Sequence, residues 1–162
     1  MGALISDCGL YRYWLSRDVQ TRGFAGVLTY IMLNPSTADA TKDDATIRRC
    51  TGFALRNDFE RFRVVNLFAY RATDPKDLKK ARDPIGPDNM KWIKELCESS
   101  DQVVCAWGAH GTYGRQNEKV VNLLSDINLY ALGFTKHEQP KHPLYVPKET
   151  EFMPYKLSQG VR

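Results

Sequence analysis

Long hydrophobic runs are missing from this chain; none approaches the roughly 20 apolar residues that a helical membrane span needs. Residues 1–6 are too short for the apolar core of a secretory leader, and Asp7 and Arg12 follow at once. Cysteine is scarce. Cys8, Cys50, Cys97 and Cys105 are the whole supply, with no CxxC and no histidine at zinc-ligand spacing from a cysteine pair. That pattern argues against a structural metal or cluster, and no cofactor is expected. The expected location is cytoplasmic, with reduced thiols and no membrane partner. Repeats, low-complexity tracts and long linkers are absent too, so residues 1–162 read as one domain. Charge of one sign is not abundant: the formal net charge is +4, which tolerates an anionic partner without demanding one. A monomer is the favoured state.

What the chain does have is an alternation of β-type apolar runs with helical patterns. Tyr11 to Arg17 alternates large and polar residues and reads as an edge strand. Val27–Leu33 is a strand ended by Asn34-Pro35-Ser36. Asp43-Asp44 opens a helix whose buried face is Ile47, Cys50, Thr51, Ala54 and Leu55. Phe62–Phe68 is nearly continuous in apolar residues, as a strand buried on both faces should be. A short helix from Asp74-Pro75 to Leu78 follows, then another from Pro87 or Asp88 through Cys97. Gln102–Trp107 is the third central strand, Tyr113–Leu124 a helix, and Asn128–Leu132 the fourth strand. The tail after Lys141 is Pro-rich and polar and reads as a wrapped or partly mobile segment. The order predicts an α/β fold: a three-layer α/β/α sandwich around a short, mostly parallel, four-stranded sheet with right-handed crossovers.

Three polar motifs follow these strands directly, at the sheet edge where open α/β folds bind ligands. Asn34-Pro35-Ser36-Thr37 can present backbone N–H groups or position a water. Asp39 lies in the same loop and is the better chemical candidate there, because Asp43 and Asp44 are placed to cap the next helix. Asn66 is the most informative residue. A polar amide inside Val64-Val65-Asn66-Leu67-Phe68 must be hydrogen-bonded, and its one acceptor and two donors match the edge of a pyrimidine. Tyr70 offers a ring for base stacking and Arg71 a phosphate grip. Trp107-Gly108 ends the third strand, and Gly108 permits close backbone approach. His142-Pro143-Leu144-Tyr145 presents an imidazole rigidly, within a stretch made basic by Lys136, His137 and Lys141. Asn34, Asn66, Trp107 and His142 are therefore expected in one cleft.

These motifs, from about Tyr11 to Tyr145, resemble a bacterial and phage family catalogued as domain of unknown function 1643. A more distant resemblance is to the uracil-DNA glycosylase superfamily, whose members are α/β/α sandwiches with a short parallel sheet. Asn34-Pro35 resembles its first motif, Val65-Asn66-Leu67 with Arg71 and Pro75 its base-reading strand and following loop, and His142-Pro143 its last motif. Leu33 stands where that superfamily has Gly, and Leu144 where it has Ser. The resemblance implies a DNA or nucleotide partner, with Asn34, Asp39 and His142 in catalysis. Pro35, Ser36, Asn66, Tyr70, Arg71, Trp107, Gly108 and Tyr145 would then contact substrate, with no metal. The expected activity is recognition of a base and hydrolysis of its N-glycosidic bond. The alternatives are a non-catalytic binding module on the same fold and another nucleotide-processing enzyme.

Overall fold

The computed structural model describes residues 2–19, 26–36 and 41–157. Its strands are β1 (Gly2–Ile5), β2 (Arg12–Asp18), β3 (Val27–Met32), β4 (Arg61–Asn66), β5 (Gln102–Cys105), β6 (Leu129–Ala131) and β7 (Met153–Tyr155). The helices are α1 (Ala45–Arg56), α2 (Asn89–Glu98) and α3 (Gln116–Leu123), with 3-10 turns at Pro75–Lys80, Ala109–Arg115 and Pro143–Tyr145. All seven strands form one sheet in the order β1-β2-β4-β3-β5-β6-β7.

The expected four-stranded sheet is its centre: β4, β3, β5 and β6 run parallel. Three antiparallel strands extend it to seven, β1 and β2 on one flank and β7 on the other. The segment read as an edge strand is β2, and it is not an edge, because β1 pairs along its outer side. β1 and β7 have four and three residues, too few to carry a periodic pattern. Pro154 is tolerated because β7 is a true edge, paired with β6 alone.

Parallel strands must be covered on both faces. On one face α1 packs Ile47, Cys50, Phe53 and Ala54 against Leu15, Tyr30, Phe62 and Val64. On the other, Ile93 and Cys97 of α2 and Val120 of α3 pack with Ile31, Val65, Val103 and Cys105. This gives three layers. Burial raises the Cys50 and Cys105 thiols well above their usual range and pushes Cys97 up to about 12, so all three stay protonated.

The chain order creates a switch point at β3. The loop leaving β3 runs to α1 on one face, whereas those leaving its neighbours β4 and β5 run to α2 and α3 on the other. Divergent loops open a crevice at the carboxyl end of β3.

Candidate functional site

A cleft of about 590 Å³ occupies that crevice, within the usual size of a small-molecule site. Met32, Leu33, Asn34 and Ser36 enter it from β3 and its loop, Asn66 from β4, and Trp107 and Gly108 from β5. Lys42, Asp44 and Thr46 contribute from the start of α1, and His142, Leu144 and Tyr145 from the last loop. Asn34, Asn66, Trp107 and His142 thus converge. Of the other residues singled out by sequence, Ser36, Gly108 and Tyr145 line the cleft, whereas Pro35, Tyr70 and Arg71 do not. Asp39 lies outside the described residues.

Asn66 is 2% exposed, and its Nδ2 has no hydrogen-bond partner among the described residues. Its backbone is held firmly: Asn89 Nδ2 donates to the carbonyls of Asn66 at 2.9 Å and Leu67 at 3.2 Å, and Gln116 Nε2 donates to Leu67 at 3.1 Å. These two fully buried amides from α2 and α3 fix the exit of β4 and leave the Asn66 side chain to the cleft. Sequence reading missed them. Their signal was faint, a polar residue on an otherwise apolar helix face.

Asn34 is committed differently. Its Nδ2 donates to Ala72 O at 2.7 Å and Pro35 O at 3.1 Å, which ties the β3 loop to the β4 loop and leaves Oδ1 as its acceptor. Asp44 caps α1, accepting from Ile47 N at 2.9 Å. Asp43 accepts from Arg17 Nε at 3.0 Å. Trp107 is buried, and its Nε1 donates to Gln139 Oε1 at 3.0 Å. Gly111 is obligatory beside it, because a Cβ there would sit inside the indole.

The His142-Pro143 turn is pinned by α1, through Arg49 Nη1 donating to Val146 O at 2.6 Å. His142 Nδ1 accepts from Leu144 N at 3.2 Å. A ring nitrogen that accepts carries no proton, so the neutral ring bears its proton on Nε2. Burial lowers the His142 pKa and outweighs the upward pull of Asp44, so the ring is neutral at pH 7. Tyr145 beside it is 81% exposed, an aromatic face at the rim. Tyr70 instead packs edge-on against Tyr11, and Arg71 Nη1 donates to Gly9 O at 3.2 Å. Lys136, His137 and Lys141 do not line the cleft.

The charge in the cleft comes from residues that sequence reading did not select. Arg12 and Arg17, both on β2, line it and are 9% and 6% exposed. With Lys42 they outnumber Asp44, the acidic residue among the described lining side chains. The site can therefore bind an anionic ligand, donate to it from neutral amide and imidazole groups, and stack a ring at its rim.

Among the described residues no helix is long and apolar enough to cross a membrane. No curated protein and no solved structure matches the chain. Residues 12–144 match the family described as "Protein of unknown function (DUF1643)", and the chain belongs to that family.

Proposed function

We propose that the cleft recognises the base of a nucleotide, or of a flipped nucleic-acid residue, and hydrolyses its N-glycosidic bond. One observation carries the reading. Asn66 is buried in a cleft of nucleotide dimensions with an amide nitrogen that has no partner among the described residues. Leaving such a donor unsatisfied costs about 1–3 kcal/mol, and a base carbonyl would satisfy it. The resemblance to the uracil-DNA glycosylase superfamily supports the same reading, since the residues that carry it, Asn34, Asn66 and His142, share the cleft.

In this mechanism Asn66 donates from Nδ2 to the base. Asn34 Oδ1 accepts from a water and orients it toward the sugar. Water oxygen bonds to the anomeric carbon as the carbon–nitrogen bond breaks. The electron pair of that bond leaves with the base, which departs as an anion and takes up the proton released by the water. Neutral His142 donates from Nε2 to the departing anion.

A binding module that does not hydrolyse is the second reading. One observation favours it: the described carboxylate in the cleft, Asp44, already caps α1. The test is incubation with nucleoside monophosphates and with oligonucleotides carrying uracil, hypoxanthine, xanthine or oxidised pyrimidines, followed by chromatography of free base. Hydrolysis predicts base release that Asn66→Ala and His142→Ala each reduce by about 10²–10³. Binding without release selects the module. No affinity for any base-containing ligand overturns both.

A further inference from the structure

We infer that the β2 side of the cleft is an oxyanion subsite in which the Arg12 guanidinium grips a phosphate group of the ligand. The identity of the oxyanion rests on the nucleotide reading above; the need for an anion comes from the arginine itself. Arg12 is 9% exposed, lines the cleft, and has no partner for its Nε among the described residues. It makes no ion pair with a described residue.

The backbone is shaped to put it there. In the β1–β2 ladder Leu4 pairs with Trp14, but Ile5 pairs with Arg12, so Tyr13 is an extra residue in β2. Strict alternation would turn Arg12 the same way as Trp14, which packs with the α2 layer. The bulge instead delivers Arg12 to the cleft beside Leu15 and Arg17. Bulges re-aim side chains next to sites. A buried cation with no ion-pair partner among the described residues is not a packing solution.

The surrounding charge has the same sense. Burial first, and then the nearby positive charges of Arg71 and Arg17, bring the Arg12 pKa down to about 10, against the opposite pull of Asp44. Arg12 is still charged at pH 7. Arg17 has Asp43 and the Ser16 carbonyl at 3.0 Å each, and Arg71 has the Gly9 carbonyl. Each has at least one guanidinium nitrogen bonded to the protein, although Arg71 Nε is unpartnered among the described residues; the guanidinium of Arg12 is presented to the cleft. Its planar fork suits two oxygens of one phosphate, and Asn66 Nδ2 is a further donor in the same cleft.

The phosphate could be the terminal group of a free nucleotide or a backbone diester. The experiment uses the full chain and begins with inorganic phosphate. Wild type is expected to show saturable thermal stabilisation beyond that of sodium chloride at equal ionic strength. The Arg12 Nε–H resonance should shift in ¹⁵N–¹H spectra as phosphate is added. A nucleoside monophosphate should bind about ten- to a hundredfold tighter than its nucleoside. Arg12→Met should abolish that advantage while leaving nucleoside affinity in place, and Arg12→Lys should restore only part of it. Comparison of the monophosphate with a short oligonucleotide lacking terminal phosphates identifies the source. If wild type shows no saturable response to phosphate, or if R12M binds the monophosphate as tightly as wild type, the subsite is overturned. Phosphate binding that depends on Arg12, without nucleoside binding, keeps the subsite and removes the base reading. Nucleoside binding with no gain from phosphate does the reverse.

Discussion

At the amino ends of the parallel strands, charged and polar groups meet partners from the chain itself. Asp101 Oδ2 accepts from Val27 N at 2.8 Å, Asp18 Oδ1 from Arg61 Nε at 2.7 Å, and Ser99 Oγ from Arg63 Nη1 at 2.8 Å. At the carboxyl ends, Arg12 Nε, Asn66 Nδ2, Arg71 Nε and Asn89 Oδ1 are buried without partners among the described residues, and elsewhere in the sheet so are Trp14 Nε1 and Tyr155 Oη. Four of these six atoms therefore gather at the carboxyl end, which is the less satisfied of the two. Unpaired buried polar groups destabilise a fold, and they concentrate where function asks for them. The contrast separates the two jobs of this sheet more sharply than the cleft's shape does.

Removing a support from the unsatisfied end should have the largest effect on stability. Asn89→Ala takes away the donor to the Asn66 and Leu67 carbonyls in a fully buried place. The expected loss is about 2–3 kcal/mol, read by urea denaturation. Binding of any base-containing ligand should weaken as well, because Asn66 loses its anchor. A stability within error of wild type would mean that the β4 exit is held by other contacts.

Arg12→Met should act in the opposite direction. It deletes a buried charge that the protein does not neutralise, and methionine fills most of the stem's volume. The apo-protein is expected to gain about 1–2 kcal/mol, or about 2–8 °C in Tm. A destabilised R12M would show that the guanidinium is satisfied in the free protein, and the contrast between the two ends would shrink.

A smaller effect belongs to His142. Its pKa in the folded chain is below the ordinary value of 6.5 because burial disfavours the cation. As pH falls below 6.5 the unfolded chain takes up this proton more readily than the folded one, so acidification costs stability. The stability is fully present above the unfolded value and declines toward the folded one. His142→Gln should flatten this part of the pH profile. If the cleft hydrolyses as proposed, base release should persist at pH 6.5 and fall in more acidic buffer, because the proposed donor is the neutral ring. Equal acid slopes for wild type and H142Q would place the His142 ring in solvent.

The central strands were legible because burial on both faces writes itself into Val64-Val65-Asn66-Leu67-Phe68 as an unbroken apolar run with one polar exception. That exception stood out for the same reason, and it lines the cleft. β1 and β7 were not legible, since three or four residues paired at an edge carry no period, and Pro154 reads as a strand breaker. Arg12 was hidden by the bulge: periodicity assigns it the face of Trp14, and only the pairing register reveals the extra residue. Tyr70 and Arg71 show the converse. They follow the Asn66 strand in sequence, but the chain turns there to meet Tyr11 and Gly9, away from the cleft lining.

The smallest expected effect tests the satisfied end with the same substitution used on the other. Arg61 begins β4 and pairs with Asp18 across the β2–β4 ladder, with side-chain exposures of 46% and 54%. Water screens such a pair, so it contributes about 0.2–1 kcal/mol, and less at high salt. Arg61→Met should therefore destabilise by that amount, in denaturant titrations run beside R12M. One arginine-to-methionine change would then lower stability and the other would raise it, in one sheet, on neighbouring strands. The difference isolates burial without a partner as the cause, because charge removed and side chain gained are identical. If both variants shift stability in the same direction and by similar amounts, general charge balance explains them. The carboxyl end would then lose its claim to be built around a missing anion.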